Sequence, residues 1–363
     1  MTLLTVTEFF NIPILIGDTL ISDKASGKRW FPTQPPNKLL DSIATFGYLP
    51  SDTYRKVYII SDNFALGWAG DMWLASLLLK RIFSNFAGRV VTEEAWDKFI
   101  TSQNNYVKRN MVLAGWIIEG ERKLAFHWQS NSPSKLRKNI EGWAGFFDGT
   151  GANFARRTLG NKPAHTTTAS VNRDKAILRS LDGISELIAF ELWDGRNLQN
   201  LFGLCYELIV FDEGKFLYVG DVNYLLYRYK WHADQPNQIV GGIVRFGIHY
   251  KNFGDYACCV VSNQTYEPYL NGFFVIKPII GQKSRENWAP AKHLKQSFDA
   301  DFFCNFVIVE ASDGKNMYSP FIVTKGSPEL PIEYTDEGKD TYIKMKEGHD
   351  FILNYYLNHR AQG

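Results

Sequence analysis

The stretch MTLLTVTEFFNIPILIGD, residues 1–18, sets two apolar runs, Leu3 to Val6 and Ile12 to Ile16, on either side of a break at EFFN. Short runs rich in leucine, valine and isoleucine and parted by a turn predict two antiparallel strands, the first starting at residue 2 or 3. A strand placed hard against Met1 leaves no room for a basic region, an apolar core and a cleavage site, so no signal peptide is expected. Whatever these residues do, they do at the chain terminus.

Beyond Asp18 the pattern changes. SDKASGKRWFPTQPPNK and the residues around it carry prolines, a glycine and alternating charges, and 19–55 reads as a long surface loop. Next come a strand KVYIIS, a turn at Asp62-Asn63, a strand FALGWAG and an apolar helix for which Asp71 is a good N-cap. Thr92, followed by Glu93 and Glu94, opens a second helix to about Lys108. MVLAGWIIEGERKLAFHW is a hairpin turning at Glu119-Gly120, and WAGFFDGTGANFARRTLG is a strand that breaks at glycines into a short helix. A helix from Asp174 to about Trp193 and a hairpin turning at Glu213-Gly214 follow. Strand pairs alternating with helix pairs predict antiparallel sheets with helices in separate layers, not the strict alternation of a doubly wound fold. After about Tyr229 short strands prevail (GGIVRFGIHY, DYACCVV, FFVIKPIIG), then a loop-rich stretch and a final helix DTYIKMKEGHDFILNYYLNH.

The chain has 363 residues, 45% of them hydrophobic and 21% charged, the balance of a folded globular protein with room for two domains. Its 40 basic and 38 acidic residues leave a net charge of +2 with no basic run to track a phosphate backbone, so nucleic acid is not an expected partner. Aromatics reach 15%, but in stretches such as KFLYVGDVNYLLYRY they sit where strand packing wants them. No segment approaches the roughly 18 uninterrupted apolar residues of a membrane helix. A cytoplasmic chain without a membrane partner is expected. The four cysteines, Cys205, Cys258, Cys259 and Cys304, show no CxxC or metal-ligand spacing and are expected as buried thiols. The histidines His127, His165, His232, His249, His293, His349 and His359 form no HExxH or close pair, and no phosphate-binding glycine loop is present. No metal, cofactor or intrinsic ATPase is expected, and the NQT at Asn263 would go unglycosylated in the cytoplasm.

Chemistry concentrates at the terminus. Methionine aminopeptidases remove Met1 when a small side chain follows, and Thr2 qualifies, so the mature chain would begin with threonine. Such a residue joins a hydroxyl to a free α-amine that titrates near pH 7.7–8.0, low enough to serve as the hydroxyl's general base. One residue then supplies nucleophile and base.

TLLTVT, IGD, KVYIISDNFALGWAG and DGTGANFARRTL resemble the proteasome β-type threonine proteases, a family of N-terminal-nucleophile (Ntn) hydrolases that includes the bacterial HslV peptidases. The family places an aspartate, after a glycine, sixteen residues beyond its terminal threonine, the separation of Thr2 and Asp18. Its lysine opens a strand of the form K-V-x-x-[IL], here at Lys56. The resemblance spans about the first 225 residues. It implies an α+β fold, a four-layer αββα sandwich of antiparallel sheets over residues 1–229, and leaves 230–363 as a β-rich C-terminal extension of unassigned role.

The resemblance also implies roles. Lys56, held by Asp18, would lower the proton affinity of the Thr2 amine and hydroxyl. Gly70, or secondarily Gly67, would supply an oxyanion-hole amide. Gly149-Thr150-Gly151 stands where the family has GSG, with Thr150 in place of the serine that orients the terminal amine. The family's later aspartate, which is followed by a serine, is replaced in QNLFGLCYE by Asn200, which can hydrogen-bond but carries no charge. The implied activity is threonine-type peptidase action on peptide or unfolded protein, and the partners the resemblance implies are further copies of the chain, in a homo-oligomeric ring, and an ATP-dependent unfoldase. Two other functions fit the same residues: an amidohydrolase of small molecules, or a noncatalytic ring or interaction subunit.

Overall fold

In the computed structural model, which describes residues 2–24, 33, 48–103, 110–132, 136–138, 145–160, 173–194, 198, 201–231, 239–263, 270–280, 300–311, 316–318, 322–325, 332–334 and 341–343, the terminal hairpin forms as expected. Strands β1 (Leu3–Phe9) and β2 (Ile12–Asp18) pair antiparallel and turn through Phe10 and Asn11, both at left-handed φ (51° and 64°). This is the backbone that matches strand twist in a two-residue hairpin. The stretch 19–55, expected as a loop, opens and closes on a strand pair, β3 (Leu20–Lys24) with β4 (Tyr48–Thr53).

β5 (Val57–Ser61) and β6 (Phe64–Gly70) then lead into α1 (Met72–Phe86) and α2 (Glu93–Ser102). The two expected caps are in place: Asp71 Oδ1 accepts from the Leu74 N–H at 2.8 Å and Thr92 Oγ1 from the Ala95 N–H at 3.2 Å. Then follow β7 (Met111–Glu119), β8 (Arg122–Gln129), β9 (Leu136–Lys138), β10 (Gly145–Gly149), a short α3 (Ala152–Ala155) that runs into a π-helical turn, α4 (Arg173–Asp194), β11 (Tyr206–Asp212) and β12 (Lys215–Tyr218). The chain is thus α+β, with antiparallel sheets.

These strands make two five-stranded sheets, one in the order β10-β1-β2-β11-β12 and one in the order β5-β6-β7-β8-β9. β1 and β2 are buried along nearly their whole length, so both faces must be covered. Alternation tells which residues go where: Leu4, Val6 and Leu15 share a core with Val57, Ala65, Ala114, Trp116 and Ala125 of the other sheet. The Trp116 indole N–H donates to the Ile14 carbonyl at 2.9 Å across this core. α4 lies against β1, β2 and β11. The second core joins the β5–β9 sheet to α1 and α2, where Trp96 packs among Phe64, Phe86 and Phe126. Burying each such ring relative to leaving it in water is worth roughly 1.5–3 kcal/mol.

Contacts divide the chain into two compact units, Met1–Val219 with Asn252–Cys259 and Phe274–Ala291, and Gly220–Lys251 with Val260–Phe273 and Lys292–Gly363. The first holds both sheets above. After it the strands continue as β13 (Val222–Trp231), β14 (Ile239–Asn252), β15 (Ala257–Asn263), β16 (Leu270–Ile276), β17 (Phe302–Ala311), β18 (Asn316–Tyr318), β19 (Ile322–Lys325), β20 (Ile332–Tyr334) and β21 (Thr341–Ile343). In the second unit β13 pairs antiparallel with β14 and parallel with β17. Thr341–Ile343, expected to open the final helix, is a strand paired with β20; three residues of β-branched and aromatic type fit a ladder better than a helix turn. The rest of that expected helix lies outside the described residues.

The cysteines also differ from expectation. Cys205 and Cys259, 54 residues apart, form a disulfide, whereas Cys258 and Cys304 are buried thiols as expected. Nothing in either cysteine's local sequence announces the pairing; the first unit folds the two segments together.

Candidate active site

Asp18 ends β2, and the register that sets Leu4 opposite Gly17 returns its carboxylate to the start of β1. Oδ1 accepts from the Leu3 N–H and from Lys56 Nζ, both at 2.8 Å. Oδ2 accepts from the Leu20 and Gly203 N–H groups, both at 3.2 Å. Lys56 Nζ also donates to the Leu20 carbonyl. The close entry of the Lys56 strand explains the glycine of IGD: a Cβ on Gly17 would lie 2.8 Å from Val57 Cγ1 and 3.5 Å from Lys56 Cβ.

Both charged side chains are 0% exposed. Removing two ions from water costs several kcal/mol each, which only a close pair with its other hydrogen bonds satisfied can offset. Asp18 meets that condition through its four donors. Burial lowers the Lys56 pKa from the ordinary lysine value, against the charge and hydrogen bond of Asp18, which raise it. The result is a buried lysine that holds its proton less firmly than a surface lysine does, sharing one carboxylate oxygen with the amide of the residue after Thr2.

Thr2 is clamped from the other side by the turn after β10. Its carbonyl accepts from the Gly151 N–H at 3.2 Å, and Gly149 packs so closely that a Cβ there would stand 1.9 Å from the same oxygen. Gly149 is also at φ 84°, a backbone that other residues adopt only at a cost. Gly149→Ala should therefore lower the stability of the chain by at least about 2 kcal/mol, read as a denaturant midpoint. An unchanged midpoint would mean that the turn does not press on Thr2. The Thr2 Oγ1 is buried and makes no hydrogen bond, a state that native structures seldom leave without a purpose.

Of the other residues singled out by sequence, Thr150 stands exposed at the tip of this turn and Gly151 is buried beneath it. Gly70 ends β6 opposite Met111, and Gly67 lies opposite Val57, where a Cβ would meet Leu4 Cδ1 at 2.3 Å. Gly67 is thus a close-packing glycine between the sheets. Asn200 lies outside the described residues.

Two acidic groups near the site went unnoticed in the sequence. Asp148, just before Gly149, bonds His127 Nε2 at 2.7 Å, and its Oδ1 accepts from the Gly149 N–H. Burial alone would push the Asp148 carboxyl up, but hydrogen bonds from His127, Gly149 and Gln129 outweigh it and hold the pKa below the ordinary value. His127, expected to be isolated, is therefore part of a pair that braces the turn over Thr2. The second group is Glu191 on α4, 1% exposed, whose carboxyl accepts from the Leu204 N–H at 3.0 and 3.2 Å. A signal for it was present: Ile184, Leu187 and Ile188 trace the buried stripe of the helix, and Glu191 continues it where an apolar residue is due.

Among the described residues no group of three or more His, Cys, Asp or Glu side chains is placed to hold a metal ion, and no helix is long and apolar enough to cross a membrane. No known family model matches the chain, and no curated protein matches it.

Proposed function

We propose that the chain is an N-terminal threonine hydrolase that cleaves peptide bonds, a member of the proteasome-like Ntn group with a four-layer αββα domain. The observation that carries this reading is the shared Asp18 Oδ1, which takes the Leu3 amide and the Lys56 ammonium together at the start of β1. A lysine buried at such a cost, on a carboxylate that also takes the amide next to Thr2, whose hydroxyl has no partner, is better accounted for by chemistry than by stability. The helices α1 and α2 on one sheet, that sheet on the second, and α4 against the second are in keeping with the fold.

Removal of Met1 would convert the Thr2 amide nitrogen to an amine. In the proposed reaction that amine takes the proton from Oγ1 as the oxygen attacks the substrate carbonyl carbon. The Gly70 N–H stabilises the oxyanion, and the ammonium returns the proton to the departing amine as the C–N bond breaks. Water then attacks the ester, the α-amine takes its proton, and Oγ1 leaves with a proton to restore the enzyme. Lys56 biases the amine towards its neutral form throughout, and Asp18 holds Lys56 in place.

Intact-protein mass before and after exposure to a peptide epoxyketone tests this. The expected result is loss of Met1 and one adduct joined through both Oγ1 and the α-amine of Thr2. In a purified chain that keeps Met1 the Thr2 nitrogen stays an amide and cannot act as base, and the noncatalytic interaction subunit would then be the better account.

A further inference from the structure

The helix α4 and the segment before β11 carry a device that the terminal constellation does not include. Leu201, Gly203 and Leu204 all have left-handed φ (60°, 129° and 68°), and two of them are leucines, for which this backbone is unfavourable. Something outside the segment must hold it. Two carboxylates do so: Glu191 takes the Leu204 N–H and Asp18 takes the Gly203 N–H. The segment and Glu191 are fitted tightly, since a Cβ on Gly203 would lie 2.0 Å from Glu191 Oε2. A carboxyl group buried next to Ile184, Leu187 and Ile188 lowers stability unless it is hydrogen-bonded, and the Leu204 amide is the backbone donor it takes.

We infer that Glu191 is a positioning residue for Asp18: by holding the Leu204 amide it sets the 201–204 segment so that the Gly203 N–H meets Asp18 Oδ2. The inference rests on the hydrolase reading for its functional meaning, because Asp18 is the group that anchors Lys56 and the Leu3 amide. With Gly203 misdirected, the carboxylate loses one of its donors and the freedom to turn away from Lys56 returns.

The charge state of Glu191 follows from what faces it. Asp18 from β2 is the charged group acting on it, Lys56, just ahead of β5, is paired to Asp18, and the Thr33 hydroxyl lies beside the carboxyl. Burial pushes the Glu191 pKa up to about 8, the Thr33 and Leu204 groups pull it back, and the Asp18 charge adds to the rise. The rise favours the carboxylic acid over the anion, a form that can hold an amide beside Asp18 without setting a second negative charge there. A carboxyl whose pKa is raised on folding contributes stability below the unfolded value of about 4.3 that is lost as pH rises to the folded value. The window runs up to about 8.

Amide hydrogen exchange on the full chain tests the inference in Glu191→Ala and Glu191→Gln. Loss of one buried acceptor should reduce protection of the Gly203 and Leu3 amides by about tenfold in Glu191→Ala. Glu191→Gln, which keeps a neutral acceptor of the same length, should retain that protection, and Leu66 and Trp68 in β6 report whether the fold is intact. The wild-type denaturant midpoint should fall relative to that of Glu191→Gln between pH 5 and about 8. Wild-type protection at Gly203 and Leu3 in the alanine variant, or midpoints that run parallel in pH, would overturn the proposal. The epoxyketone separates the two readings: a wild-type chain that forms no adduct but shows the exchange pattern keeps Glu191 as the anchor of Asp18 and ends the hydrolase reading. A wild-type chain that forms the adduct at a rate matched by Glu191→Ala does the reverse.

Discussion

Replacing Thr2 by alanine, in a chain expressed so that residue 2 becomes its terminus, should reduce hydrolysis of a fluorogenic peptide amide by at least about 10³-fold. The expected loss is this large because in the proposed mechanism Oγ1 forms the covalent bond. Stability should barely change. Oγ1 makes no hydrogen bond, so its removal strands no partner, and loss of the Thr2 methyl costs about 0.8 kcal/mol. Thr2→Ser keeps a hydroxyl on the same amine and should retain measurable turnover. A Thr2→Ala protein that hydrolyses the peptide like the wild type would remove Thr2 from the chemistry and with it the whole proposed mechanism.

The second large effect is expected at Lys56. Lys56→Ala leaves the Asp18 carboxylate buried beside an empty volume, and breaking a buried pair by removing one partner typically costs about 3–5 kcal/mol. Lys56→Met keeps the volume but loses the charge, so it separates packing from electrostatics. Both variants should suppress epoxyketone labelling of Thr2, and the double variant Lys56→Met/Asp18→Asn should regain much of the stability without regaining the labelling. That pattern follows because removing both charges removes the cost of an unpaired buried ion and leaves the smaller cost of an amide that cannot accept at both positions where Asp18 does, whereas the proposed nucleophile needs the positive field. Recovery of labelling in the double variant would show that Lys56 matters for folding alone. The sign of the pH effect is also fixed: Lys56 has its pKa lowered on folding, so its contribution is present above the unfolded lysine value and lost as pH falls through the folded one.

The motif pattern picked out Thr2, Asp18 and Lys56, and the structure joins the start of β1, Asp18 and Lys56 in one hydrogen-bonded group. Gly149 was marked by its place in a glycine turn, but the reason for it, contact with the Thr2 carbonyl, needs β10 paired beside β1. His127 and Glu191 were passed over for different reasons. A lone histidine in a strand gives no hint of its partner on another sheet. A glutamate in an apolar helical stripe does give a hint, since periodicity alone flags it as misplaced.

What the amino-acid sequence determined by itself is what short range decides: the hairpins breaking within residues 8–11 and turning at 119–120 and 213–214, the Asp71 and Thr92 caps, and the extent of α4. Each depends on a run of side chains and on hydrogen bonds within a few residues. Only the tertiary structure decided which carboxylate meets which amide, the Cys205–Cys259 disulfide, the strand pair that bounds residues 19–55, and the contact of Glu191 with the segment that reaches Asp18. These depend on how strand register and sheet packing bring residues far apart in the chain within a few ångströms, and no local periodicity encodes that distance.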